Sequence, residues 1–289
     1  MPASDVAKFV LTVACPETRG IVRSVSDFLY QEEATITEAA QHRDPVIDQF
    51  FMRVEFEVIA ESGITVADLN DKFAEVARKF SMTRQFHDMG RSARILLAVS
   101  KHGHCLNDIL HRWDSGLLPA EIVAVVSNHE DLRGMAQWYK LPFHYLPVSA
   151  DVKSAQERQL LQLMEKHDAD VLALARYMQI LSTDLCTQLP GRIINIHHSF
   201  LPGFKGADPY RQAYNRGVKI IGATAHYVTA DLDEGPIIEQ AVEKIDHNCD
   251  IDELRQIGRD AECVAFARAL RWHCEHRIII NGSKTIVFK

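Results

Sequence analysis

The chain has 289 residues, 47% of them hydrophobic and 25% charged, with a formal net charge of −7. These proportions lie near globular averages, and the length suffices for two ordinary domains with cores of their own, so disordered and collagen-like readings are excluded. With 39 acidic against 32 basic side chains and no Lys/Arg cluster, general nucleic-acid binding is disfavoured, because phosphate contacts need grouped cations. The six cysteines are scattered without a C-x-x-C pair, and Met1–Ala14 carries no secretory pattern. No apolar run approaches the roughly 20 residues of a membrane span. A cytoplasmic protein with free thiols and no membrane association is therefore expected.

Lys8–Ala14 is rich in β-formers and leads through a turn-type stretch at 15–20 into Ile21–Tyr30. There Ile21, Val25, Phe28 and Leu29 recur at helical spacing. Ala34–Gln41 and Gln49–Val58 read as strands; in the second, Phe50, Met52, Val54, Phe56 and Val58 alternate with Phe51, Arg53, Glu55 and Glu57. Thr65–Phe80 reads as one amphipathic helix and Ser81–His87 as a closing strand. The order β-α-β-β-α-β predicts a ferredoxin-like domain over 1–86, with a short polar linker at 87–92.

From residue 93 to 289 the rhythm changes to strand–helix alternation, which predicts a mostly parallel, Rossmann-like sheet. Strands are expected at Ala93–Ser100, Glu121–Ser127, Phe143–Leu146, Asp170–Leu174, Ile193–His198, Lys219–Val228 and Ile237–Ile245. Helices are expected at Cys105–Gly116, Leu132–Tyr139, Ser154–Lys166 and Asp252–Cys274, with another ending at Gly217. A terminal hairpin is expected around Asn281-Gly282. The fold class is thus α/β, in two domains.

The densest polar signal is Ile193-Ile-Asn-Ile-His-His-Ser-Phe-Leu-Pro-Gly203. Asn195 and His197 lie two apart on a strand and share a face, while His198 points the other way. Ligands collect at the carboxyl ends of strands in open α/β sheets, where this pair would stand. A second signal runs from Gly222 to Pro236: a strand carrying His226, then a loop carrying Asp231, Asp233 and Glu234, closed by Gly-Pro. One of those carboxylates beside His197 would supply a base with its orienting partner, and the Asn195 amide an oxyanion donor. With no Ser or Cys in an elbow, the nucleophile would be water or an amine. No spacing resembles a metal site.

Leu174-Ala-Arg-Tyr-Met-Gln-Ile-Leu-Ser182, Asn195-Ile-His197 and His226-Tyr-Val-Thr-Ala-Asp-Leu-Asp-Glu-Gly-Pro236, in this order, resemble the formyltransferase family that uses 10-formyltetrahydrofolate. The stretch from Phe204 to His226 is similar to the deformylase branch of that family, and the N-terminal unit resembles the ACT domain that this branch carries. The resemblance implies hydrolysis of 10-formyltetrahydrofolate to formate and tetrahydrofolate, with formate feeding purine synthesis. It implies Asn195, His197 and Asp233 in the catalytic positions and no cofactor beyond the folate substrate. It also implies a folate pocket built from Leu174, Tyr177, Met178, Gln179, Ile180 and Leu181, with backbone groups at Met178, Gln179 and Leu181 reading the ring edge. His226, Val228, Thr229, Ala230 and Asp231 would close the other side. An ACT-like domain implies a small amino-acid effector and an even-numbered homo-oligomer, dimer or tetramer. Its expected Gly-Asn is Ala34-Thr35 here, a departure that weakens the effector reading.

Formyl transfer to a phosphorylated amine needs an anion cradle after the first catalytic-domain strand, whereas Lys101-His-Gly-His-Cys105 is bulky. That loop, with Ala207–Tyr210, is expected to fill the space an acceptor would occupy. Formylation of an aminoacyl-tRNA would want a basic face on an acidic chain. An amino-acid-sensing regulator would have no use for Asn195, His197 and Asp233.

Overall fold

The computed structural model describes residues 6–60, 63–149, 151–203 and 209–289. The loop positions 204–208, part of the segment expected to fill the acceptor space, lie outside these residues. The chain divides into two compact units, one running to Ser92 and taking in Glu275–Asn281 and Ile286–Lys289, the other holding Ala93–Cys274 and Gly282–Thr285.

The first unit is built from β1 (Val6–Pro16), α1 (Ile21–Gln31), β2 (Thr35–Asp44), β3 (Gln49–Ile59), α2 (Val66–Lys72), α3 (Ala74–Lys79) and β4 (Thr83–Asp88). Its antiparallel sheet has the order β2-β3-β1-β4, the ferredoxin-like arrangement. The alternation read in β3 sends Phe56 into a core where Phe28, Phe73 and Phe86 meet edge to face. The single helix expected over 65–80 is two, α2 and α3, meeting at Phe73, which is fully buried. Thr65 opens the first of them with a capping box to Asp68. Strand β4 runs on through Asp88, so the expected linker loses its first two residues to the sheet.

The second unit comprises β5 (Ala93–Val99), α4 (His104–Asp114), β6 (Ala120–Ser127), α5 (Arg133–Trp138), β7 (Phe143–Tyr145), α6 (Lys153–Lys166), β8 (Val171–Ala175), α7 (Thr183–Gln188), β9 (Ile193–His197), α8 (Pro209–Arg216), β10 (Ile220–Tyr227), β11 (Ile237–Lys244) and α9 (Ile251–Cys274). A terminal hairpin pairs β12 (Ile278–Asn281) with β13 (Lys284–Val287). The large sheet has the order β11-β10-β9-β8-β5-β6-β7, parallel from β9 to β7, with β10 antiparallel to both its neighbours. Strands β5, β6 and β8 read as near-continuous apolar runs because helices cover such strands on both faces. Helix α7 is absent from the sequence reading; it is short, and Ser182 caps it by accepting from the Leu185 N–H.

Residues 275–281 belong to the first unit, where the sequence reading assigns them to the second. The cause is Arg53, only 1% exposed. A guanidinium taken out of water needs acceptors around it. Arg53 donates to Glu38, to Glu55 and to the backbone carbonyls of Glu275 and His276. Arg277 completes the cluster through Glu38 and Glu275. Removing the guanidinium strands these acceptors. Arg53→Ala is expected to cost about 3–5 kcal/mol, measured by chemical denaturation, and a loss below about 1 kcal/mol would show that the network is not holding the segment.

Candidate active site

Register fixes the first contact. Strands β9 and β10 pair antiparallel with Asn195 opposite His226 and His197 opposite Thr224. Directly opposed residues on one face of a sheet have touching side chains. Asn195 Nδ2 lies 3.2 Å from His226 Nε2, and His226 Nδ1 lies 2.9 Å from the Tyr227 carbonyl oxygen. A carbonyl can only accept, so Nδ1 carries the proton and Nε2 accepts from Asn195. One of the two Asn195 N–H groups is therefore used within the protein, and the other is left for a ligand.

The loop after β10 brings the carboxylate. Asp233 adopts a left-handed backbone conformation with φ +56°, tolerated better by Asp than by most residues. The loop closes on itself where the Tyr227 N–H donates to the Pro236 carbonyl. A Cβ on Gly235 would stand 1.8 Å from the Tyr227 carbonyl oxygen, so only glycine allows this closure. Asp233 then lies 3.5 Å from His197 Nδ1 and 3.8 Å from His226 Nε2. His197 Nε2 is buried without a hydrogen-bond partner. Burial pushes the His197 imidazole below its usual range, opposed by the Asp233 charge, and burial does the same to His226. Both rings are thus neutral at pH 7.

These groups line a cavity of about 430 Å³ whose other wall is the strap from Arg176 to Leu181. The strap is pinned at three points. Met178 N–H donates to Ser100 Oγ, which donates to Asn128; Gln156 donates to the buried Tyr177 hydroxyl; and Ser182 donates to Glu157 from both its N–H and its Oγ. Held in this way, Met178 and Ile180 remain 53% and 60% exposed. Apolar walls with a few polar groups at one end suit a flat heteroaromatic ligand.

Of the residues singled out in the sequence, the cavity is lined by Leu174, Tyr177, Met178, Gln179, Ile180, Leu181, Asn195, His197, His226, Val228, Thr229, Ala230 and Asp233. Asp231 does not line it; its carbonyl accepts from Thr229 Oγ1 and the Glu234 N–H, which shapes the loop instead. The Met178 N–H is spent on Ser100 and cannot read a ring edge. His198, expected to point away, also reaches the cavity, as do Arg176, Ile196 and Leu232. Arg176 had a visible signal, being a lone cation directly after the apolar run of β8. The Leu232 signal was swamped by its acidic neighbours.

A second chamber of about 410 Å³ is lined by His102, His104, Arg176, Met178, His198, Tyr210, Arg255, Arg259 and Glu262. The bulky 101–105 loop thus borders an open space where it was expected to fill one. His104, Cys105 and Glu262 are close enough together to suggest metal ligands. Two of them belong to a hydrogen-bonded cluster, in which Glu262 accepts from His104 at 2.6 Å and from Tyr210 at 2.7 Å. A hydrogen bond with Cys263, together with burial, drives the Cys105 thiol well above its ordinary value. Burial and the Arg176 charge push His198 down to about 3.

The formyl transferase family pattern matches residues 93–270. A formyltetrahydrofolate deformylase from Corynebacterium sp. (strain P-1) is 47% identical, with 99% of this chain and 100% of that one covered. The crystal structure of a formyltetrahydrofolate deformylase from Pseudomonas syringae superposes with a TM-score of 0.94 at 44% identity, covering 100% of this chain and 96% of that one. A glycinamide ribonucleotide transformylase from Symbiobacterium toebii gives a TM-score of 0.66 at 31% identity, with 97% of its chain but only 70% of this one covered.

The closure at Gly235 is testable without any ligand. Gly235→Ala is expected to cost at least about 1–3 kcal/mol, as overpacking against backbone does. At roughly 2–4 °C per kcal/mol for a domain of this size, the melting temperature should fall by several degrees in a thermal scan. An unchanged melting temperature would mean that the loop closes by another route.

Proposed function

The chain belongs to the formyl transferase family, and from that premise we propose that it is a formyltetrahydrofolate deformylase, a hydrolase that cleaves 10-formyltetrahydrofolate to formate and tetrahydrofolate. The observation that carries the reading is the Asp233 carboxylate held 3.5 Å from His197, beside Asn195, on the wall of a cavity whose other side is apolar. The pterin ring lies along the 176–181 strap, and the formyl group reaches the polar end. Asp233 takes a proton from water, directly or through His197, as the water oxygen bonds to the formyl carbon. The free Asn195 N–H and His197 hold the developing oxyanion. The C–N10 bond then breaks with proton return to N10. Water is the only co-reactant, and no cofactor enters.

Transfer to a phosphorylated amine has one observation on its side, the cationic chamber beside His198. Against it stands coverage: the transformylase spans 70% of this chain, and the deformylase all of it. Purified protein with 10-formyltetrahydrofolate and no acceptor should release formate with turnover. Release that waits for an added amine would establish transfer instead.

The same proposal extends to setting and assembly. Free cysteines throughout fit a reducing cytoplasm, and among the described residues no helix is long and apolar enough to cross a membrane. Strands β2 and β4 are the edges of the first unit's sheet, and edge strands invite pairing, which supports a homodimer or homotetramer. A small amino acid is the effector class that the ACT-like unit would take.

Asp233→Asn and His197→Ala should lower kcat by about 100- to 10,000-fold, and Asn195→Ala by about 100- to 1,000-fold, with tetrahydrofolate binding retained in a fluorescence titration. Wild-type turnover in any of the three would remove that residue from the mechanism. Because burial holds His197 below the ordinary imidazole value, a proton adds to it only at pH below 6.5. The acid limb of kcat/KM that reports its charging should therefore lie below pH 6.5, and one that moves above 6.5 would contradict a neutral His197.

A further inference from the structure

We propose that the second chamber is a carboxylate site that receives the formate released at Asn195, His197 and Asp233, with Arg176 as its anchor; the inference rests on the hydrolytic reading above. Arg176 is the starting point. It sits just beyond β8 with φ +63°, a conformation that favours glycine, and it carries there the longest cationic side chain available. It is only 9% exposed, and its Nε and Nη1 are buried with no hydrogen-bond partner. A buried guanidinium without acceptors is costly, so a strained backbone bearing one implies an acceptor that arrives from outside.

Glu262 meets that need only in part. Its Oε2 forms an ion pair with Arg176 Nε at 3.4 Å but no hydrogen bond, and its hydrogen-bond partners are His104 and the Tyr210 hydroxyl. Gly258 makes that last contact possible, since a Cβ there would stand 2.2 Å from the Tyr210 oxygen. Beyond Glu262 the chamber walls carry Arg176, Arg255 and Arg259, and although Arg255 pairs with Asp252, guanidinium groups outnumber carboxylates along the walls. Such a space takes a small anion whose oxygens accept from N–H groups.

Arg176, Met178 and His198 line both cavities and so form the partition between them. On one side of it a neutral amide becomes an anion. The formyl group of the substrate carries no charge and gains little from a guanidinium, whereas the formate carboxylate gains much. The chamber therefore discriminates formate from the uncleaved formyl group by charge and draws the product away from the N10 nitrogen it has just left. Inorganic phosphate shares the oxyanion chemistry, and the experiment separates the two.

The test is a titration of the whole protein, without folate, with ¹³C-labelled formate, following NMR line broadening, and a parallel titration with phosphate. Saturable formate binding is expected, weakened about tenfold or more in Arg176→Gly and less in Arg259→Met. Glycine suits φ +63°, so the first variant should melt no lower than the wild type; the second supplies the comparison if it does. In turnover assays formate should inhibit noncompetitively against 10-formyltetrahydrofolate. Absence of saturable binding, equal affinity in both variants, phosphate binding tighter than formate, or strictly competitive inhibition would overturn the assignment. Failure of the wild type to release formate from 10-formyltetrahydrofolate would instead sink the hydrolytic reading, an outcome distinct from the folate-free titration, which reads the formate site alone.

Discussion

The site depends on one antiparallel pairing. Strand β10 runs against β9 with His226 opposite Asn195, and everything catalytic is referred to that register. A slip of one residue would turn Asn195 and His226 to opposite faces and leave the carboxylate loop without its target. The loop in turn is held by a backbone contact that only Gly235 permits, where the chain returns to hydrogen-bond Tyr227. Asp233 reaches His197 because the backbone around it has no other course.

Burial then sets the chemistry. Taking His197 and His226 out of water keeps both imidazoles neutral, with the Asp233 carboxylate 3.5 Å from the first and 3.8 Å from the second. A neutral formyl amide is admitted there without a charge penalty, and the charge that develops during attack meets donors already in place. The same logic explains the pinned strap. Tying Met178, Tyr177 and Ser182 to Ser100, Gln156 and Glu157 keeps apolar side chains facing an open cavity, which a free loop would collapse to bury. On the far side of the strap, Arg176 holds a positive charge where the first cavity needs none, which is the asymmetry behind the formate site.

The first unit obeys a parallel constraint. Its fully buried Arg53 draws acceptors from both ends of the sequence, and the residues after α9 are recruited into that unit for their carbonyl oxygens and for Arg277. The chain's last segment is therefore structural in a unit that begins some 270 positions earlier, at β1.

Hydrophobic periodicity alone determined most of the elements, since a half-buried strand and an amphipathic helix repeat at different intervals that burial enforces locally. The β-α-β-β-α-β order, the parallel sheet and the same-face pair Asn195 and His197 were all legible on that basis. Short pieces were not: α7 carries a single capping serine and too few turns to show a period, and the break at Phe73 falls within an unbroken apolar pattern. Choosing Asp233 over Asp231 and Glu234 needed the resemblance, because adjacent carboxylates in a loop have no periodicity to tell them apart. Only the tertiary structure could show that Asp231 shapes the loop, that Met178 spends its N–H on Ser100, and that Arg53 claims the tail. It alone also shows that Arg176 stands between two chambers with its Nε and Nη1 lacking hydrogen-bond partners. Those facts concern partners distant in sequence, and which groups lose water together is decided by how the chain packs, not by the order in which it is written.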